Sequence, residues 1–194
     1  MSGKVFISYR RSEDSHVVGR LGDRIRRDYP AAEIFVDTDA MPVGTPIPAV
    51  LDARIRASDV VLVVIGPRWL SLVGNNNLRR LDDPADFVRQ EVAAALSHQR
   101  PVVPVLIDGA KMPSAQDLPD NIVGLAVAPG LPLRAEDFGP DATRLLARLE
   151  PLIKHGSIAV DCWPPSQTQR RWLVPGGGEV FTDFEGGPEM VVVR

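Results

Sequence analysis

The run Val60–Ile65 constrains the fold of this chain more than any other segment. All of its residues are aliphatic, so a strand formed here presents two apolar faces and must be covered on both sides. Such strands are typical of a parallel sheet with helices packed on each face. The run is far shorter than the roughly 20 residues that a membrane-spanning helix requires, and we predict no membrane span.

Short apolar runs alternate with segments of helical period over the first 154 residues. The runs predicted as strands are residues 5–8, 33–37, 60–65, 102–107 and, as a short fifth strand, 125–127. The segments predicted as helices are residues 14–28, a helix with Pro46 or Pro48 in its first turn, residues 83–97 and residues 141–153. This alternation predicts an α/β fold, a flavodoxin-like doubly wound parallel sheet of about five strands.

Ligands of such sheets bind beyond the carboxyl ends of the strands, near the point where the strand order reverses. We therefore expect the functional residues in the segments that follow the predicted strands. These segments are residues 8–11, 37–46 and 66–69, together with Asp108.

Composition and charge exclude several classes of protein. The formal net charge is -3, which argues against a nucleic-acid binder that depends on a clustered positive surface. Cys162 is the single cysteine, so no internal disulfide can form and a reducing, cytoplasmic compartment is the simplest prediction. His16, His98 and His155 are scattered without ligand spacing, and we predict no metal site.

The last part of the chain differs from the rest. Residues 156–194 contain Trp163, Trp172 and the glycine run 176–178. Short β-like pieces lie at residues 179–184 and 190–193. We predict one domain over residues 1–155 and a C-terminal extension over residues 156–194, either a hairpin or a partly ordered tail.

Familiar phosphate-binding motifs are absent from the sequence. Ser8-Tyr9-Arg10-Arg11 follows the first strand, where a dinucleotide-binding fold carries its glycine fingerprint. Phosphate-accepting receiver domains share the layout but need an aspartate at the end of the central strand. Here that strand ends in Ile65-Gly66-Pro67, which excludes the receiver class.

Several collinear segments resemble those of Toll/interleukin receptor (TIR) domains, including bacterial members. They are residues 5–10 (VFISYR) for the opening strand, 35–37 and 41–44 for the second strand and its loop, 58–70 for the central strand, and 86–96 (DFVRQEVAAAL) for the helix with the catalytic glutamate. The resemblance covers about residues 4–154 and implies the TIR fold.

The resemblance also implies an activity. Glu91 corresponds to the glutamate that the family needs to cleave the nicotinamide–ribose bond of NAD+, so an NAD+ glycohydrolase is implied. NAD+ is then a substrate, no prosthetic group is needed, and the product is ADP-ribose or a cyclic isomer. Phe87 stands where the family commonly has tryptophan.

A single carboxylate suits this reaction chemically. Nicotinamide leaves as a neutral molecule, so no general acid is required, and the transition state resembles a ribosyl oxocarbenium ion. An anion in a site with little water can stabilise that cation. Phe87 and Glu91 are four residues apart and share a helix face, so Phe87 can pack against a bound ring.

The remaining predicted site residues surround this pair. Arg10 or Arg11 can contact the pyrophosphate, because a guanidinium matches phosphate oxygens, and Phe35, Asp37 and the following loop form a wall and lid. The full prediction is catalytic Glu91 with NAD+-binding Ser8, Tyr9, Arg10, Arg11, Phe35, Asp37, Gly44, Trp69 and Phe87. Each residue also has a purely structural interpretation. Considered without the family resemblance, Glu91 is an ordinary solvent-facing helix residue, and Trp69 is a core aromatic.

Other functions stay open at this stage. Family members include non-enzymatic adaptors, so the loop at residues 39–48 can mediate self-association or bind other TIR proteins. A nucleoside 2-deoxyribosyltransferase-like enzyme shares the sheet and the use of a glutamate. The resemblance to bacterial members suggests signalling, defence against phage, or interference with a host.

Overall fold

The computed structural model describes residues 3–36, 47–74, 77–155, 169–174 and 178–183. Its main element is a five-stranded sheet in the order β2-β1-β3-β4-β5, and every strand pair is parallel. The strands are β1 (Lys4–Ser8), β2 (Glu33–Val36), β3 (Val60–Ile65), β4 (Val102–Ile107) and β5 (Leu131–Leu133). This topology confirms the predicted α/β doubly wound fold.

Three α-helices connect the first four strands, as expected for parallel neighbours, and a fourth follows β5. They are α1 (Arg11–Asp28), α2 (Ile47–Ala57), α3 (Phe87–Ser97) and α4 (Phe138–His155). In the described ranges, no helix has both the length and the apolar character needed to cross a membrane.

The two faces of the sheet carry different helices. Val5, Ile7 and Leu62 belong to a buried core that they share with residues of α1 and α4. Successive residues of a strand point to opposite faces, so Phe6 and Ser8 lie on the other face, where α2 and α3 contact β1. The end of β1 therefore places Ser8 beneath α3.

The predicted fifth strand at residues 125–127 is wrong. Asp120–Val127 forms a 3-10 helix whose Ile122 and Leu125 are buried, and the fifth strand is Leu131–Leu133, paired with β4. A 3-10 helix repeats every three residues, so it buries Ile122 and Leu125 on one side. Over so short a stretch, the apolar residues alone do not separate this pattern from a strand.

The third helix begins later than predicted. The expected start was residue 83, whereas α3 begins at Phe87 and Asp86 is its N-cap. The Asp86 carboxylate accepts a hydrogen bond from the backbone N–H of Arg89 at 3.0 Å. Aspartate is among the preferred N-cap residues because its side chain satisfies a backbone donor of the first turn.

The chain divides into two compact units, Met1–Ala159 and Val160–Arg194. In the second unit, β6 (Gln169–Val174) and β7 (Gly178–Asp183) form an antiparallel pair. β7 overlaps the β-like piece predicted at residues 179–184, while the piece predicted at residues 190–193 lies outside the described residues.

Candidate functional site

A buried hydrogen bond joins the carboxyl end of β1 to α3. Ser8 Oγ donates to Glu91 Oε2 at 2.6 Å, and the two residues are 0% and 1% exposed. Glu91 is thus not the solvent-facing helix residue of the structural interpretation. It lies on the buried side of α3 with Val88 and Val92. Burying a carboxylate costs free energy, so its position indicates a specific role.

A second buried contact joins the residue that precedes α1 to the N-cap residue of α3. Arg10 Nη1 lies 2.5 Å from Asp86 Oδ2, and both side chains are 1% exposed. Arg80 Nε lies 3.2 Å from the same oxygen, at the edge of the pair. Sequence reasoning did not identify Asp86. The signal that points to it is an N-cap residue directly before the helix that carries Glu91.

Phe87 lies at the start of α3, one turn before Glu91. Its side chain remains 40% exposed, although large apolar side chains are usually buried. The exposed ring of Phe87 and the buried carboxylate of Glu91 therefore both lie in the N-terminal half of α3. An exposed aromatic ring thus lies one helical turn from the buried carboxylate.

The other predicted binding residues lie in different environments. Tyr9 is 5% exposed and packs in the core shared by α1 and α4, and Trp69 is 1% exposed. Arg11 is exposed as the first residue of α1. The guanidinium of Arg54 lies 5.8 Å from the centre of the half-buried Phe35 ring. The structure thus brings Ser8 and Glu91 into contact but places Tyr9 on the opposite face.

Part of the predicted site lies outside the described residues. Asp37, Gly44 and most of the loop at residues 39–48 are among these residues. Their roles as wall, lid and self-association surface stay predictions.

Another buried acid lies on the α1 side of the sheet edge, and sequence reasoning did not identify it. Asp14 is 3% exposed, and burial raises its pKa to about 6, with smaller contributions from the charges of Glu13 and Asp108. Its Oδ1 lies 2.6 Å from the position that a Cβ would occupy on Gly66. Glycine at position 66 therefore makes room for the Asp14 carboxylate.

This close approach gives a prediction for Gly66→Ala. We expect the free energy of unfolding to fall by about 1–3 kcal/mol, because the new methyl group overlaps a buried carboxylate. Urea denaturation measures the change. Gly19→Ala in α1 is the matched control, since its Cβ meets nothing within 4 Å and the substitution favours the helix. An equal loss in both variants, or an undiminished loss in an Asp14→Ala background, would contradict the proposed overlap.

The five-stranded parallel sheet with its strand order β2-β1-β3-β4-β5 is that expected of the TIR fold. The family model described as "TIR domain" matches residues 5–147, and the chain belongs to this family.

Two relatives carry enzyme names. NAD(+) hydrolase tir-1 of Caenorhabditis elegans is 26% identical over 119 residues, which are 61% of this chain and 11% of that protein. NAD(+) hydrolase sarm1 of Drosophila melanogaster is 26% identical over 122 residues, 63% of this chain and 8% of that protein. The chain therefore corresponds to a small part of each relative.

A solved structure supports the fold. The TIR domains of the activated Roq1 resistosome match with a TM-score of 0.58 at 18% sequence identity, over 76% of this chain and 99% of that chain. At this identity the similarity shows the fold alone.

Proposed function

We propose that this TIR domain is an NAD+ glycohydrolase that cleaves the nicotinamide–ribose bond, with Glu91 as its catalytic residue. The observation that carries the proposal is the buried hydrogen bond between Ser8 and Glu91 at the carboxyl edge of β1. The names of the two relatives support the same activity.

The chemistry follows from the charge of Glu91. As the bond to nicotinamide breaks, the electron pair leaves with the neutral base and positive charge develops on the ribose. A carboxylate in a poorly solvated site stabilises that charge more strongly than it would in water. Water then attacks the ribosyl carbon to give ADP-ribose, or an adenine nitrogen of the same molecule attacks to give a cyclic isomer, and in either case a proton is released to the solvent.

Ser8 orients the carboxylate. Its hydroxyl donates to Oε2 at 2.6 Å, which fixes the rotation of the carboxylate relative to β1. A preorganised charge needs no rearrangement at the moment of reaction.

Residues at the rim provide substrate contacts. Phe87 is 40% exposed, and in this proposal its ring stacks on a ring of NAD+. Arg11 is exposed at the start of α1, and in this proposal its guanidinium contacts the pyrophosphate. We further propose that activation requires self-association through the loop at residues 39–48, and that the role lies in signalling or defence.

The role of Ser8 gives a second prediction. We expect Ser8→Ala to lower kcat for nicotinamide release about tenfold, because one hydrogen bond to a charged group contributes about 1.5–3 kcal/mol. The KM for NAD+ should change little, since Ser8 contacts Glu91 and not the substrate. Steady-state kinetics measures both constants. Ser97→Ala, which removes an exposed hydroxyl from the last turn of α3, should keep the parent kcat. A parent-like Ser8→Ala enzyme would contradict the orienting role.

The experiment that tests the activity is incubation of the concentrated protein with NAD+, followed by chromatographic separation of the products. We expect nicotinamide together with ADP-ribose or its cyclic isomer. Turnover of deoxynucleosides without turnover of NAD+ would instead favour the deoxyribosyltransferase alternative.

A further inference from the structure

We propose that the buried Arg10–Asp86 ion pair positions Glu91, by holding the start of α3 against the end of β1. This inference rests on the proposed function, because it assigns the pair to the residue that we take as catalytic. It also gives Arg10 a different task from the pyrophosphate contact that the sequence predicts.

Two side-chain contacts hold the start of α3, one from Ser8 at the end of β1 and one from Arg10 just beyond it. Ser8 and Arg10 are two residues apart and lie on the same side of an extended segment. Ser8 Oγ contacts Glu91 at 2.6 Å, and Arg10 Nη1 contacts Asp86 at 2.5 Å. A helix held at one point can pivot, whereas two contacts also set its rotation and its register along the strand.

The Asp86 carboxylate transmits the position of Arg10 to the helix. One oxygen accepts from Arg10, and the other accepts from the backbone N–H of Arg89, inside the first turn of α3. A displacement of Asp86 therefore moves the backbone of the turn that precedes Glu91.

Arg10 is itself held in place by the backbone. Its carbonyl oxygen accepts from the N–H groups of Glu13 and Asp14, each at 2.9 Å, where α1 begins. The backbone of Arg10 is thus fixed by α1 while its side chain reaches α3. The start of both helices is defined relative to the end of β1.

A gain in stability does not explain why the Arg10–Asp86 ion pair is buried. Two charges that are both 1% exposed pay a desolvation cost, and well-packed apolar residues often stabilise a core as well or better. An ion pair differs from an apolar contact in its directionality, since it defines both distance and orientation. Directionality is what a carboxylate beside a reacting sugar requires.

The test compares the double variant Arg10→Met/Asp86→Asn with its single variants. Asparagine keeps the N-cap and methionine keeps much of the arginine volume, so the double variant removes both charges but little of the packing. We expect each single variant to melt at a lower temperature than the parent, and the double variant to recover most of that loss. Its kcat for NAD+ should nevertheless be lower by at least about tenfold, because small displacements of reacting groups are costly, with KM within about threefold.

A control pair joins α4 to the segment before it. Asp141, 1% exposed in the first turn of α4, accepts from Arg134 at 2.9 Å. Arg134→Met/Asp141→Asn removes an ion pair with one buried partner, since the Arg134 side chain is 42% exposed, on the α1 and α4 face of the sheet. It should keep the parent kcat. If the double variant does not fold, the single variant Arg10→Lys serves as the test in its place. Lysine keeps the positive charge but lacks the planar guanidinium, so we still expect kcat to fall.

A crystal structure of the double variant separates this inference from the proposed function. We expect the Ser8 Oγ to Glu91 Oε2 distance to exceed 3.5 Å, beyond hydrogen-bonding range. An intact contact overturns the inference, even where the parent cleaves no NAD+. A parent that releases no more nicotinamide than Glu91→Gln overturns the proposed function instead. A double variant with the parent kcat overturns the inference while leaving the function intact.

Discussion

We expect Glu91→Gln to lower kcat for nicotinamide release from NAD+ by about 10²–10³-fold. Glutamine keeps the volume of the side chain and can still accept from Ser8, but it carries no negative charge. The developing ribosyl cation therefore loses its electrostatic partner, while the surface that binds NAD+ changes little. Initial rates over a range of NAD+ concentrations separate kcat from KM.

The fold should survive this substitution. Glu91 is 1% exposed, and replacing a buried acid by its amide removes the cost of burying charge, so we expect a melting temperature near that of the parent. Glu136→Gln is the matched control, because it makes the same chemical change at an exposed position between β5 and α4. A Glu91→Gln enzyme as fast as Glu136→Gln would exclude Glu91 as the catalytic residue.

The second large effect concerns stability and its pH dependence. Burial raises the pKa of Asp14 from 3.8 to about 6. Between these two values the unfolded chain has released the proton that the folded chain keeps, so the contribution of Asp14 to the free energy of unfolding falls as the pH rises. The loss is complete above about pH 6 and amounts to roughly 2–3 kcal/mol.

Asp14→Asn should remove this loss. We expect the variant to be more stable than the parent by roughly 2–3 kcal/mol at pH 7 and by much less at about pH 4, where Asp14 is protonated in the folded chain. Urea denaturation from about pH 4 to pH 7 measures the difference. Asp120→Asn, at an exposed position, serves as the control. A stability difference between Asp14→Asn and the parent that does not vary with pH would contradict the raised pKa.

Apolar patterning predicted the sheet well where a strand is buried on both faces. Val60–Ile65 was predicted to the residue, because six aliphatic side chains in succession have few other solutions in a parallel fold. The fifth strand was misplaced to residues 125–127. At the edge of the sheet, burial is incomplete and a short apolar stretch also suits a 3-10 helix.

Pattern alone predicted less of the candidate site than of the sheet. The resemblance to TIR domains pointed to Glu91, but its contact with Ser8 spans 83 positions of sequence and is not visible in any local periodicity. Asp14 and Asp86 were missed for the same reason. Each is polar and lies at the start of a helix, and only the packing of other segments around it makes it buried.

Arg10, unlike Asp14 and Asp86, was among the predicted site residues. Arg10 or Arg11 was predicted at the pyrophosphate because of residue type and place after the first strand, and in the structure the Arg10 side chain is 1% exposed and paired with Asp86. An arginine at the edge of a sheet can face either the ligand or the adjoining helix. The choice depends on whether an acid caps that helix, which becomes clear only once the start of α3 is known.

The most direct test of the central proposal is the amount of nicotinamide released from NAD+ by the parent protein and by Glu91→Gln, at concentrations that allow self-association. We predict release that grows with time for the parent and stays near the protein-free background for the variant. Equal release by both proteins, or none by the parent at any concentration, would contradict it.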